Sequence, residues 1–192
     1  MPSEFFRTFV CLELPTTIQV QAEALQHKLA DLGSSIRWVD PPNLHLTLRF
    51  LGEISGTQLR AVCCAVCNAA SQVDTFSLEL SGTGCFPSAR RPRAFWIGVT
   101  KNASLTLLCG ALEEQLFSAG FDREVRPFSP HLTLGRVRVD RMSVRVREVL
   151  AKAEFEAASF LVTNVTVMKS QLGKSGAVHT PVAREPLQSC QS

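Results

Sequence analysis

Two of the four histidines in this chain open the same four-residue word. His45 begins HLTL within "NLHLTLRF", and His131 begins it again within "SPHLTLGR". Along a β-strand, side chains alternate faces with a period of two. Each word therefore sets an imidazole and a hydroxyl on one face, His45 with Thr47 and His131 with Thr133, and anchors the other face with leucines. Two such strands bordering one groove would present two imidazoles and two hydroxyls to a common phosphorus atom. A neutral imidazole takes a proton from an attacking water or hydroxyl, and a protonated one gives a proton to the departing oxygen. Histidine's ordinary pKa of about 6.5 makes both forms available near neutrality. The threonine hydroxyls can donate to non-bridging phosphate oxygens, and an arginine can hold those oxygens through two parallel hydrogen bonds. This phosphodiester chemistry needs no metal and no cofactor. One HLTL alone would be an ordinary amphipathic strand; the second copy makes it a signal.

The elements that must carry these words can be read along the chain. "FFRTFVCLEL" predicts a strand, rich in aromatic and β-branched residues. "PTTIQVQAEALQHKLADLG" predicts a helix with Pro15 at its start, Gly33 at its end and Ile18, Ala22, Leu25, Leu29 and Leu32 as its apolar stripe. His27 falls off that stripe and is expected in solvent. Pro41 and Pro42 interrupt "IRWVDPPNLHLTLRFLGEI", which puts the extended part at residues 44–51. A helix over residues 57–70 follows, then strands "FSLELSG" and "AFWIGV", then the helix "NASLTLLCGALEEQLFSAG" with Leu105, Leu108, Cys109, Leu112 and Leu116 inward. The second word lies on a strand over residues 130–139. A helix over residues 141–153 buries Met142, Val146, Val149 and Leu150. "SFLVTNVTVMKSQL" predicts one long strand and "HTPVAREPL" a last one. Each histidine word stands on a strand that follows a proline and, earlier, a helix. That is a loose internal duplication, and it predicts an α+β fold of two lobes, each with a mostly antiparallel sheet and flanking helices.

Composition bounds the rest. The chain has 192 residues, 45% of them hydrophobic and 19% charged, which is globular rather than disordered. The expected organisation is a single bilobal domain over residues 1–187 with a frayed tail over 188–192. No apolar run approaches the ~20 residues of a membrane span, and "MPSEFFRTFV" lacks the pattern of a secretory leader. These features, with seven cysteines and no regular spacing, predict a cytoplasmic protein with free thiols. Cys63, Cys64 and Cys67 are read as small buried side chains. The net charge of +3 allows an anionic substrate without demanding one. Arginines crowd two places: Arg90, Arg91 and Arg93, and then Arg136, Arg138, Arg141, Arg145 and Arg147. Both groups suit either a solvated basic face or the steering of phosphate.

The doubled word and its flanks resemble the 2H phosphoesterase superfamily, and within it the bacterial RNA 2′,3′-cyclic phosphodiesterases, also called 2′-5′ RNA ligases. "RTFVCLELP", "RWVDPPNLHLTLRFLGEI", "GCFPSARRPRAFWIGV", "RPFSPHLTLGRVR" and "MKSQLGKSGAVHTPVAREPL" together carry the resemblance across nearly the whole chain. The resemblance implies a bilobal, pseudo-two-fold fold with a central groove. It implies His45 as proton donor to the leaving oxygen, His131 as proton acceptor, and Thr47, Thr133 and Arg136 as phosphate contacts. It implies hydrolysis of RNA 2′,3′-cyclic phosphate ends to 2′-phosphomonoesters, with ATP-independent 2′-5′ joining as the related reaction. Phe50, Phe86 and Phe128 flank the words and could stack on a base, although each also fits a core position. His179 stands where the family often carries an aromatic residue; it could line the groove, but the favoured reading is a bystander on a late strand.

The expected partners are RNA ends or small nucleotides bearing a cyclic phosphate, acted on by a monomer away from membranes. The alternatives are a phosphodiesterase for 2′-5′ oligonucleotides or small cyclic phosphates, a non-catalytic RNA-binding module, and a metallohydrolase. The binding module predicts a damaged word, and both are intact. The metallohydrolase would need partners such as Asp40 or Glu53 on the motif face.

Overall fold

The computed structural model describes residues 4–29, 36–88, 90–138, 144–173 and 177–189. Among these residues nine strands and four α-helices run in the order β1 (Phe5–Glu13), α1 (Thr16–Lys28), β2 (Ile36–Trp38), β3 (His45–Ser55), α2 (Gly56–Ala70), β4 (Phe76–Phe86), β5 (Ala94–Val99), α3 (Ala103–Ser118), β6 (His131–Val137), α4 (Val144–Lys152), β7 (Ala158–Val162), β8 (Asn164–Leu172) and β9 (Ala177–Pro186). A single 3-10 turn at Pro41–Asn43 separates β2 from β3.

Local chemistry explains the helix boundaries. Ser55 and Gln58 form a reciprocal capping box at the start of α2, which satisfies two of the otherwise unpaired backbone donors there. Asn102 accepts from the Leu105 N–H at the start of α3. Helix α1 follows Pro15 and buries Ile18, Ala22 and Leu25; Leu32 and the predicted end at Gly33 lie outside the described residues. So do Arg141 and Met142, while Val146 and Leu150 of α4 are buried as the periodicity requires.

The strands pair antiparallel in the order β7-β4-β5-β6-β3-β1-β8-β9, and β2 adds to β6. Two four-stranded halves, β3-β1-β8-β9 and β6-β5-β4-β7, meet through one paired position, Leu46 opposite Leu132. This is the bilobal α+β architecture expected from the duplication, with the two sheets touching at a single residue pair. One apolar core runs beneath both halves. It joins Val10, Leu12, Leu46 and Leu48 to Ile97, Leu132 and Leu134, and it takes in the buried faces of α1, α2, α3 and α4. The helices therefore cover one face of the sheets. On the other face of β1 and β8, Phe9, Cys11 and Met168 form a separate small cluster.

Three expectations change. The stretch "SFLVTNVTVMKSQL" is two strands, not one. Strand β7 pairs with β4 in the second half and β8 pairs with β1 in the first. The chain crosses between halves at Thr163, whose carbonyl accepts from the Leu187 N–H at 2.8 Å. Both segments are β-rich, so composition carries no mark of the crossing. Beyond β9, Gln188 exchanges backbone bonds with Val73 and Thr75, so the paired chain continues past Leu187. Cys64 and Cys67 are exposed and only Cys63 packs on the core. Helical periodicity turns the first two outward, because α2 buries Leu59, Val62, Val66 and Ala69 instead.

Leu132 is fully buried at the junction of the halves. Leu132→Ala is expected to lower unfolding free energy by about 2–5 kcal/mol, the range for a buried leucine that leaves a cavity. A urea titration followed by far-UV circular dichroism measures it through a lower midpoint.

Candidate active site

The pairing of Leu46 with Leu132 decides the geometry of the site, because each is the second residue of its word. In an antiparallel pair centred on these leucines, His45 falls beside Thr133 and Thr47 beside His131, all four on the face away from the helices. The two words are thus related by a local two-fold axis through their own leucines.

The likeness goes further than the four letters. In the pairing of β1 with β3, Val10 lies opposite Arg49 and Cys11 opposite Thr47, so Leu48 is an extra residue. In the pairing of β5 with β6, Phe95 lies opposite Gly135 and Trp96 opposite Thr133, so Leu134 is an extra residue. Each word has a β-bulge at its final leucine. A bulge shifts the side-chain alternation by one, so the residue five beyond each histidine returns to the groove face. Those residues are Phe50 and Arg136, and both line the cleft.

The two imidazoles are held alike. His45 Nδ1 lies 2.7 Å from the Asn43 carbonyl oxygen, and His131 Nδ1 lies 2.7 Å from that of Ser129. A carbonyl oxygen can only accept, so Nδ1 carries the hydrogen in both rings and Nε2 is left to exchange protons. Their surroundings differ. Phe9 stacks on His45 at 4.6 Å between ring centroids, and His179 meets His45 edge-on at 5.3 Å. His131 packs against Phe86 at 4.8 Å and Trp96 at 6.4 Å. The Trp96 ring has room because β4 carries Gly84 opposite it; a Cβ there would lie 2.3 Å from the indole.

A cleft of about 450 Å³ opens between the halves. His45, Thr47, Thr133, Arg136 and Phe50 line it, together with Arg7, Phe9, Arg37, Asp40, Ser170 and His179. Three arginines against one aspartate make it electropositive, which suits an anion. Burial pushes the His45 pKa down to about 4, and the nearby His179 and Arg136 add to the fall, while the bond to Asn43 opposes it. His45 is therefore neutral at pH 7.

Of the residues singled out from sequence, His45, Thr47, Thr133, Arg136 and Phe50 share the cleft wall. His131 stands half-exposed on the same strand face, against Phe86 and Trp96. Phe128 is 41% exposed and lies outside the cleft lining. Arg90, Arg91 and Arg93 are exposed before β5. Of the two placements open to His179, the structure shows the groove: it sits on the cleft wall against His45 and Phe9. Sequence reasoning also passed over Arg7, whose guanidinium lies over the Phe50 ring at 4.7 Å. The alternation of β1, with Val10 and Leu12 in the core, could have placed Arg7 and Phe9 on the groove face.

Three supporting contacts were invisible in the sequence. Buried Gln26 of α1 donates to the Val39 and Leu134 carbonyls at 2.8 and 3.0 Å, tying the first helix to the second word. Asn43, which accepts from His45, also donates to the Ala177 carbonyl at the start of β9 at 3.0 Å. Arg49, 9% exposed, pairs with Glu113 at 3.4 Å and Glu124 at 3.2 Å and donates to the Asp122 carbonyl. It thereby ties β3 to the segment leading into His131.

Comparison with known proteins agrees with this architecture. The model of the LigT-like phosphoesterase family matches twice, over residues 12–96 and 97–179, each match holding one histidine word. An RNA 2′,3′-cyclic phosphodiesterase of Aquifex aeolicus is 31% identical over 180 residues, covering 92% of this chain and 94% of its own. One from Methanothermobacter thermautotrophicus is 29% identical over 175 residues, covering 91% and 95%. The crystal structure of Escherichia coli LigT complexed with NADP+ superposes with a TM-score of 0.73 at 28% identity, over 96% of this chain and 99% of that one.

The ring nitrogens of His45 are expected to titrate near pH 4 in the ligand-free protein, well below ordinary histidine. Long-range ¹H–¹⁵N NMR correlations across pH 3–8 measure this, and the neutral ring should show its hydrogen on Nδ1. Inorganic sulfate is expected to move the titration upward, because an anion in the cleft favours the charged ring.

Proposed function

Because the chain belongs to the LigT-like phosphoesterase family, we propose that it hydrolyses 2′,3′-cyclic phosphate ends of RNA to 2′-phosphomonoesters through the paired histidine words. The observation that supports this reading is the antiparallel pairing of the words about Leu46 and Leu132, which brings His45 beside Thr133 and Thr47 beside His131 on one face. His131 Nε2 takes a proton from water as the water oxygen bonds to phosphorus. The bond from phosphorus to the 3′ oxygen breaks, and His45 Nε2 gives that oxygen its proton. Thr47, Thr133 and Arg136 hold the non-bridging oxygens and offset their charge as the transition state forms.

The low pKa of His45 is compatible with the donor role. A ring that holds its proton weakly gives it up readily, and the anionic phosphate supplies the charge that loads it. A ribose hydroxyl in the place of water makes the same geometry suitable for 2′-5′ joining without ATP. Unpaired cysteines throughout the described residues suit a reducing cytosol.

The deciding assay uses an oligonucleotide ending in a 2′,3′-cyclic phosphate, with a chelator present. The expected product is the 2′-monoester. His45→Ala and His131→Ala are each expected to lower kcat by ~10²–10⁴-fold, the usual contribution of a general acid or base. The profile of kcat/KM against pH is expected to be bell-shaped with its acid limb near His45's value of about 4. A silent histidine substitution, or activity lost to the chelator, would count against the scheme.

A further inference from the structure

Three buried side-chain polar atoms have no hydrogen-bond partner among the described residues: Arg49 Nε, Trp96 Nε1 and His179 Nδ1. Arg49 is held by Glu113 and Glu124. The other two belong to rings packed against the motif histidines, one in each half. Of these only His179 lines the cleft. A buried polar atom left unpaired is unfavourable, and Nδ1 is shut off from solvent, so a ligand in the cleft would meet the His179 ring at Nε2.

His179 is placed deliberately. Its strand lies beside β8, with Ser170 opposite it. Its ring meets Phe9 at 5.0 Å and His45 at 5.3 Å, both edge-on. Asn43 braces the arrangement by bonding both His45 and the first residue of β9. Behind this wall a smaller cavity of about 50 Å³ is lined by Glu13, Gln19, Asn43, His45 and His179, among others. The charged groups sharing these two spaces with His179 are Arg7 and Glu13 from β1, Arg37 from β2, Asp40 from the turn after it, His45 from β3 and Arg136 from β6. Glu13 is engaged by Arg184 at 2.7 and 3.0 Å and by Thr166 at 2.8 Å. The remaining balance is cationic. Burial holds the His179 pKa below the ordinary value, and the negative charge of a phosphate beside the ring would favour its charged form.

We propose that His179 is a substrate-binding residue, whose cationic ring pairs with the phosphate of the nucleotide held beside His45, so that binding the anion draws a proton into the cleft. This rests on the cyclic-phosphate reading above and deepens it. It adds a third histidine to the site, one that acts in binding rather than in proton transfer. Substrate affinity then falls as pH rises, because the proton that must enter with the phosphate becomes scarcer.

Steady-state kinetics with the cyclic-phosphate oligonucleotide over pH 5–8 test it, using the wild type, His179→Phe and His179→Asn. Phenylalanine keeps a ring against Phe9 and His45 but has no nitrogen; asparagine keeps hydrogen-bonding groups but cannot be charged. The expected result is a wild-type KM that rises with pH. At pH 6 the KM of H179F is expected to be roughly tenfold higher, at the low end for a hydrogen bond to a charged group. Its kcat stays within about threefold, since no group that transfers a proton is touched, and most of the pH dependence of KM is lost. H179N falls between them in KM and is equally flat with pH, and it carries the comparison alone if H179F does not fold. Wild-type KM at every pH in both variants would overturn the proposal. So would a loss confined to kcat, which would make the ring a support for His45 only. Absence of turnover by the wild type would instead sink the underlying assignment of function.

Discussion

Leu46 and Leu132 face each other across the only paired position that joins the two halves of the sheet among the described residues. Everything at the site depends on that register. A slip of one residue along either strand would turn a histidine and a threonine into the core and bring leucines out to the groove. The slip is blocked by burial: Leu46, Leu132 and Leu134 are wholly inaccessible, and Leu48 nearly so. Leucines that form no part of the chemistry thus hold it in place, because exposing them to water would cost about 2 kcal/mol or more apiece. The single pair also shapes the cleft. Past Leu132, β6 turns to β2 for its partner at Gly135 to Val137, so the halves part and leave a space between them.

Around this axis the backbone is nearly symmetric and the side chains are not. Both words bulge at their last leucine, both histidines donate from Nδ1 to the carbonyl two residues back, and both present the fifth residue beyond the histidine to the groove face. One of those fifth residues is a phenylalanine and the other an arginine. One imidazole lies beneath Phe9 and His179, the other against Phe86 and Trp96. The doubled words give the two imidazoles the same backbone hold, and divergent neighbours give each ring a different environment.

The groove face carries the polar asymmetry while the helix face carries the stability. The cleft gathers three arginines and two histidines, while the core beneath it is continuous under both halves. Gln26, Asn43 and Arg49 connect the two faces by binding carbonyls and carboxylates on segments far away in sequence, so the halves cannot shift independently of the words they carry.

The sequence alone determined the two strands that carry the words, their inward and outward faces, and the course of the helices. These follow from local rules: the alternation of a strand, the stripe of a helix and the repetition of a four-letter word. Tertiary structure decided what depends on pairing partners. It split "SFLVTNVTVMKSQL" at Thr163, because neither segment records which half it will join. It turned Phe50 and Arg136 into the cleft through bulges, which exist only relative to a neighbouring strand. It set His179 on the cleft wall against His45, although β9 lies three places from β3 in the sheet. Local periodicity shows which way a side chain faces; only the folded chain decides what it faces.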